Sequence, residues 1–198
     1  MDYSPINPWV IFFASILTSN MIFANFLGMC SFISVSGEYK TASGLGKAVT
    51  MVLAITSGVN WLIYHYIILP LDIVYLRNIV FIMVIAALVQ ILELFLDRYA
   101  PDLHAKLGIF LPLITVNCAI LGATLFMVIR NYSFLQAILF GLGSGLGWWL
   151  AIVMLAAIRE KIAKAKMPPG LQGPAITFII TGIMAMAFIG FSGIFQVQ

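Results

Sequence analysis

Residues 133–157 read SFLQAILFGLGSGLGWWLAIVMLAA and contain no charged side chain. About 20 apolar residues in a helix cross the roughly 30 Å hydrocarbon core of a bilayer, so this stretch predicts a membrane-spanning helix. Its glycines at 141, 143, 145 and 147 lack both the Gly-Lys-Ser/Thr of a phosphate loop and the spacing of a dinucleotide fingerprint. Because they form two overlapping Gly-x-x-x-Gly pairs, they predict a surface on which neighbouring helices pack closely.

The rest of the chain has the same apolar character. It has 198 residues, 63% of them hydrophobic and only 9% charged, and its mean hydropathy is +1.10. Six apolar windows are long enough to span a membrane: residues 9–35, 44–69, 76–96, 107–129, 133–157 and 174–195. The predicted fold class is therefore an all-α integral membrane protein with six transmembrane helices in a single polytopic domain, residues 1–198. The longest less apolar stretch, 158–173, is too short to fold around a core of its own, which excludes a soluble catalytic domain.

The basic residues are distributed unequally between the two sides of these spans. The loops after the first, third and fifth spans carry eight of them: Lys40, Lys47, Arg98, Lys106, Arg159, Lys161, Lys164 and Lys166. The opposite side carries only Arg77 and Arg130. Since Lys and Arg concentrate in cytoplasmic loops, both termini are predicted to lie in the periplasm of a bacterial inner membrane. Scattered single charges also argue against a nucleic acid partner, despite the net charge of +3.

Two halves of three spans each would begin on opposite sides of the membrane, which permits an inverted repeat. Each half carries one cysteine in its first span, Cys30 and Cys118, near residues that interrupt helices. Asn25 and Gly28 precede the first cysteine, and Pro112 precedes the second. The chain is therefore predicted to form two inverted three-helix repeats with interrupted helices 1 and 4.

The two cysteines allow two interpretations. They can be small apolar residues at helix interfaces, the commoner role of cysteine in a membrane chain. Alternatively, they ligate iron as thiolates, and a broken backbone then points amide N–H groups at the anionic sulfurs. Two thiolates do not complete the four-cysteine shell of an iron-sulfur cluster. The second interpretation therefore requires two more cysteines from a partner protein.

Four blocks of sequence carry a resemblance to a known family: residues 26–30, 107–120, 143–148 and 156–161. They closely resemble the NqrDE/RnfAE family, and within it the E subunits (NqrE) of sodium-translocating NADH:quinone reductases, over nearly the whole chain. The A subunits of Rnf complexes, which are ferredoxin:NAD reductases, are the alternative. They share the second block but typically have proline where this chain has Ser31, whereas the short connection 70–77 is more like theirs.

This resemblance implies that Cys30 and Cys118 are metal ligands. In the family, the E subunit forms a pseudo-twofold heterodimer with the homologous D subunit, and each contributes two cysteines to an intramembrane 2Fe-2S cluster. The cluster carries electrons from NADH-side cofactors toward flavins and quinone, in a six-subunit complex whose other subunits carry FAD, FMN and riboflavin. The chain would then be a component of the sodium-transporting NADH:ubiquinone reductase that has no catalytic activity alone.

Other polar side chains bear on the same site. Asn25, Gly28 and Asn117 are close enough in sequence to the cysteines to support their sulfurs. Glu93, near the end of the third span, either reaches the membrane interface, the commoner role, or handles the transported ion, and the resemblance adds some weight to the second role. A small-solute secondary transporter, also built from inverted repeats with broken helices, would need more polar groups than these. A purely structural membrane protein would tolerate replacement of both cysteines.

Overall fold

The computed structural model of the chain describes residues 6–99, 111–164 and 173–190, which form helices and the turns between them. The elements in chain order are α1 (Pro8–Ile16), α2 (Met29–Val35), α3 (Tyr39–Ile63) with a π-helical extension (Tyr64–Ile68), a 3-10 turn (Val74–Leu76), α4 (Arg77–Tyr99), α5 (Leu111–Thr115), α6 (Cys118–Ile129), α7 (Phe134–Ile162) and α8 (Pro174–Ile189). For these residues the predicted all-α class is confirmed.

Four helical segments of the described residues are long and apolar enough to cross a membrane: Tyr39–Ile68, Val74–Phe95, Pro112–Ile129 and Phe134–Ile162. The apolar α8 is shorter, with 16 residues. These helices support a multi-pass membrane protein. The six-helix inverted repeat stays a prediction, because the first predicted span contains two short helices and parts of the fourth and sixth, 107–110 and 191–195, lie outside the described residues.

Both predicted interruptions are present. Residues 17–28 separate α1 from α2 as a series of turns, and residues 116 and 117 separate α5 from α6. Each break ends in a residue that suits the start of the next helix. Gly28 has a left-handed backbone (φ 84°), and the Asn117 side chain accepts the N–H of Ala119 as the cap of α6. Each cysteine therefore lies in the first turn of a short helix that begins inside a predicted membrane window.

The central helix α7 packs against both α1 and α3. Its glycines divide between these two neighbours. Gly141 and Gly145 face α3, and a Cβ on Gly145 would lie 2.6 Å from the Cα of Thr50. Gly143 and Gly147 face α1, and a Cβ on Gly147 would lie 2.9 Å from a carbonyl oxygen of that helix. The predicted use of these glycines for close helix packing is confirmed.

The long helices extend past their predicted ends. α3 begins at Tyr39, ahead of the predicted 44, and α7 continues to Ile162, past the predicted 157. The charge pattern assigned Arg159 to a cytoplasmic loop, but it lies in the last turn of α7, where helix carbonyl groups favour cations. Its Nη1 donates to the carbonyl oxygen of Ile33 at 3.0 Å and to the hydroxyl of Ser36 at 2.6 Å. Thus α7 holds the C-terminal end of α2, the helix that carries the first cysteine.

Candidate functional site

The two broken helices meet at the sulfur of Cys118. The backbone N–H of Gly28 donates to Cys118 Sγ, with an N···S distance of 2.9 Å, although the two residues are 90 positions apart. Cys118 is half-buried as the first residue of α6, and Cys30 is exposed in the first turn of α2. The contact therefore joins the two cysteine-bearing helix starts. An N–H group that donates to a sulfur stabilises negative charge there, so the arrangement suits a thiolate ligand.

Both conformation and space require glycine at position 28. Its φ of 84° lies in the left-handed region, which costs other residues roughly 1–2 kcal/mol. A Cβ on Gly28 would lie 2.7 Å from Trp148 Nε1, 3.0 Å from Ala119 Cβ and 3.2 Å from Asn117 Oδ1. These separations are too short for a carbon atom without movement of its neighbours. Any larger residue would therefore displace the amide that contacts Cys118.

The side-chain amide of Asn117 connects the two breaks. Its Oδ1 accepts the N–H of Ala119 at 3.0 Å, which caps α6 immediately beside Cys118. Its Nδ2 donates to Ser31 Oγ at 3.1 Å, and that hydroxyl donates to the carbonyl oxygen of Gly28 at 3.2 Å. Asn117 is 2% exposed and Ser31 is fully buried, so water does not compete for these bonds. The hydrogen bonds close a ring that includes the Gly28–Cys118 contact.

This chain supplies only part of a metal shell. Within residues 6–99, 111–164 and 173–190, no group of three or more His, Cys, Asp or Glu is placed to hold a metal ion. Cys30 and Cys118 together provide two thiols, half of the set that an iron-sulfur cluster needs. Because Cys30 is exposed, ligands from a second protein can approach its sulfur.

The other predicted site residues lie outside this ring of hydrogen bonds or in other elements. The side chain of Asn25 is exposed, and Glu93 is half-buried on α4. Internal support of the first break comes instead from Asn20, which is fully buried. Its Oδ1 accepts the N–H of Ile22 at 3.0 Å, and its Nδ2 donates to the carbonyl oxygen of Gly147 at 2.9 Å. The first break is therefore attached to α7.

The roles that the structure gives to Ser31, Trp148 and Arg159 were not predicted. Trp148 is fully buried beneath Gly28, and its indole Nε1 has no hydrogen-bond partner among the described residues. The sequence indicated Ser31 and Trp148 only through the family resemblance, and Arg159 through the same resemblance and as a topology signal. Two features of the sequence could have identified Ser31 and Trp148: a hydroxyl directly after a cysteine and an indole inside a glycine-rich span.

Known proteins similar to this chain have a common description. A sequence model of a family described as Rnf-Nqr subunit, membrane protein, matches residues 9–195. The chain is 51% identical over 205 residues to the E subunit of the Na(+)-translocating NADH-quinone reductase of Chlamydia muridarum. This alignment covers 98% of this chain and 84% of that protein. It is 52% and 53% identical over 190 residues to the corresponding E subunits of Proteus mirabilis and Tolumonas auensis, with coverage of 93% of this chain and 96% of each relative. The resemblance drawn from the four sequence blocks is confirmed.

Proposed function

The chain belongs to the Rnf-Nqr family of membrane subunits, and we propose on this basis that it is the E subunit of a Na+-translocating NADH:quinone reductase. We propose further that Cys30 and Cys118 supply two of four thiolates to a 2Fe-2S cluster shared with the homologous D subunit. The observation that carries the second proposal is the 2.9 Å contact between the Gly28 N–H and Cys118 Sγ. It joins two cysteine-bearing helix starts that are distant in sequence.

The residues present fit such a cluster. The donor set consists of two free thiols, the ligand type that iron-sulfur clusters require. One of the two sulfurs accepts a backbone N–H, an interaction that stabilises a ligand thiolate. At Gly28 the backbone packs so closely against Trp148, Ala119 and Asn117 that a larger residue would displace that N–H. The other thiol, Cys30, is exposed, so a partner's ligands can reach it.

Each residue of the site has a separate task in this proposal. When bound, a 2Fe-2S cluster supplies one-electron transfer. Cys30 and Cys118 would hold it, and the Gly28 N–H would stabilise negative charge on the second sulfur. Asn117 and Ser31 keep that N–H in place, because their hydrogen bonds tie the Gly28 carbonyl group to the start of α6. The Asn117 and Ser31 side chains are buried away from water, and hydrogen bonds are stronger in such surroundings.

The exposed thiol also bears on the partners. A four-thiolate shell completed by the D subunit explains why Cys30 lies at the surface of the isolated chain. Electrons would reach and leave the cluster through subunits that carry FAD, FMN and riboflavin. We place both termini in the periplasm and the chain in the bacterial inner membrane on the charge distribution between predicted loops. Glu93, half-buried on α4, is a candidate for handling the transported ion.

The alternatives receive less support. The three relatives named above are E subunits, and the Ser31 hydroxyl in the ring makes two hydrogen bonds that a proline could not make. A solute carrier needs polar groups around its substrate. The crevice of about 280 Å³ between α3 and α4 is lined by Thr56 and seven apolar side chains. It has no cluster of polar groups that would bind a small polar solute.

Analysis of the intact complex tests the proposal. We expect the purified complex to contain iron and a reducible cluster that is lost in both Cys30→Ala and Cys118→Ala, since a methyl group cannot replace a thiolate. NADH-driven quinone reduction should be abolished, while NADH oxidation by artificial acceptors at the peripheral subunit should persist. Ser34→Ala, an exposed position on the same short helix, is the matched control. Full quinone reduction by an iron-free Cys118→Ala complex would contradict the electron-carrying role.

Membrane topology has its own test. A reporter fused after Gln198 should be active only if it functions in the periplasm, and one inserted near Lys164 should behave as cytoplasmic. A cytoplasmic C-terminus would remove the basis for two inverted halves.

A further inference from the structure

The apolar crevice between α3 and α4 lies far along the chain from the cysteines and has no part in the site described above. Its volume is about 280 Å³, and it follows α4 from Leu88 to Phe95, a length of about 10 Å at the helical rise per residue. The wall residues Met51, Ile55, Ile91 and Phe95 are 43–63% exposed, so the crevice opens to the outside of the chain. It is therefore a narrow slot that runs along two membrane-spanning helices.

The lining of the crevice suits a flexible hydrocarbon chain better than a helix of a partner protein. Membrane helices approach each other closely through small residues, as α3 does where it meets Gly141 and Gly145 of α7. Among the residues that line the crevice only Thr56 is small. It is fully buried, and its hydroxyl donates to the carbonyl oxygen of Val52 in its own helix at 2.7 Å. The crevice thus offers its occupant apolar surface and no free hydrogen-bonding group.

A cation lies beyond the same end of the crevice on each of its two walls. Lys47 is exposed on α3 one turn before Met51, and Arg98 is exposed on α4 three residues after Phe95. Residues three or four apart share a face of a helix, so each cation lies on the side of its wall residue. Because α3 and α4 run in opposite directions, both cations lie toward the side of the membrane that is predicted to be cytoplasmic.

Nearby acidic groups do not lie on the crevice side of α4. Glu93 and Asp97 are each two positions from Phe95, and residues two apart point to opposite sides of a helix. The Lys47 ammonium lies 5.8 Å from the centroid of the Trp149 ring, which carries no charge that would neutralise it. This end of the crevice therefore combines positive charge on both walls with an apolar interior.

We infer that the crevice binds one acyl chain of an anionic phospholipid, whose phosphate group lies between Lys47 and Arg98. Basic residues between membrane helices on the cytoplasmic side bind anionic headgroups, and a guanidinium group can contact two phosphate oxygens at once. The inference goes beyond the proposed function and does not depend on the cluster. A neutral lipid or the tail of a quinone could also enter the crevice, but neither would need the two cations.

Photolabelling of the intact complex tests the inference. The complex is placed in phosphatidylcholine nanodiscs that contain a phosphatidylglycerol with a diazirine on one acyl chain, and labelled peptides are identified by mass spectrometry. We expect label on residues 51–56 and 88–95, which unlabelled phosphatidylglycerol removes and an equal amount of added phosphatidylcholine or ubiquinone does not. Absence of label there overturns the inference. Equal competition by phosphatidylcholine, which would indicate ordinary surrounding lipid, overturns it, and so does competition by ubiquinone.

Replacement of the cations tests the headgroup. The double variant Lys47→Gln, Arg98→Gln should weaken the apparent affinity for the labelled phosphatidylglycerol by about fivefold for each cation removed. Lys161→Gln with Lys164→Gln is the matched control, because it removes two exposed cations from the end of α7. Equal affinities of the double variant and this control overturn the inference.

A change of the crevice itself tests the acyl chain. Ile55→Trp should fill the crevice and lower the yield of label on residues 88–95, since a larger side chain there occupies the space of the lipid. Ile82→Trp is the matched control, because Ile82 is 50% exposed on α4 and does not line the crevice. Undiminished labelling in an assembled Ile55→Trp complex contradicts the inference. If Ile55→Trp does not assemble, the cation variants and the competition experiment still decide it.

Discussion

The two broken helices support their cysteines in different ways. The second break is short, residues 116 and 117, and it places Cys118 at the start of α6 with its sulfur already bonded to an N–H of the first break. The first break covers residues 17–28, and it leaves Cys30 exposed at the start of α2. The chain therefore donates a hydrogen bond to one of the two sulfurs by itself. The other sulfur is open to a partner.

The difference arises from how each break is held. Asn117 satisfies the start of α6 directly and also reaches Ser31 in the first break. Beside Cys30 the Ser31 hydroxyl bonds to the Gly28 carbonyl and to Asn117, and Asn20 attaches the first break to α7 at a point ten residues before Cys30. Short helices that start inside a membrane need such partners, because their free N–H groups cannot be hydrated there.

Replacement of Gly28 should have the largest effect on this arrangement. Gly28→Ala places a Cβ in a left-handed backbone and against Trp148, so the amide should move away from Cys118. We expect loss of most cluster iron and of most quinone reduction per assembled complex. Gly37→Ala is the control, because a Cβ there meets nothing within 4 Å. Normal iron content in Gly28→Ala would show that the contact between the breaks is dispensable.

A change in the packing of the first break should have the second largest effect. Gly147→Ala introduces a Cβ 2.9 Å from Asn20 Nδ2, and overpacking of this kind costs about 1–3 kcal/mol. The yield of assembled complex, measured by size-exclusion chromatography in detergent, should drop. Gly182→Ala on α8, where a Cβ would lie in open space, should leave the yield unchanged. Equal yields for the two variants would mean that α1 and α7 separate without penalty.

Removal of the Asn117 side chain tests whether the two breaks are held by side chains to different extents. Asn117→Ala deletes the cap of α6 and the bond to Ser31, at a cost of about 1–2 kcal/mol. The temperature at which the cluster signal disappears should fall. Asn25→Ala is the matched change in the first break, and its exposed side chain should contribute little. Similar loss of the cluster in Asn25→Ala would support the sequence-based prediction that Asn25 assists the cysteine sulfurs.

The smallest effect is expected at the far end of α2. Arg159→Gln weakens the bonds to the Ile33 carbonyl and the Ser36 hydroxyl, a change of about 1 kcal/mol for a cation at a helix C-terminus. The cluster signal should be lost at a slightly lower temperature, with little change in activity at growth temperature. Lys161→Gln, an exposed cation on the same turn of α7, should have no such effect. If both variants lose the cluster signal at the same lower temperature, the change in net charge rather than the contact with α2 is responsible for that loss.

Much of the fold follows from local composition. Hydrocarbon cannot hydrate a backbone, so apolar windows must form helices, and the helices α3, α4, α6 and α7 lie within or across the predicted windows. Their ends were predicted less well, because a helix such as α7 continues into the interface, where charged residues such as Arg159 are stable. The interruptions were predictable because glycine and proline act on the backbone at their own positions.

The candidate site depends both on residue type and on long-range packing. The cysteines, Gly28 and Asn117 were identifiable from residue type and position in the chain, since each has a distinct chemical or conformational property. The contact between Gly28 and Cys118, the exposure of Cys30 and the direction of the Trp148 indole required the folded chain. Each of these depends on how helices far apart in sequence pack against α7. Packing at that separation is set by the shapes of many side chains together, and hydropathy does not record it.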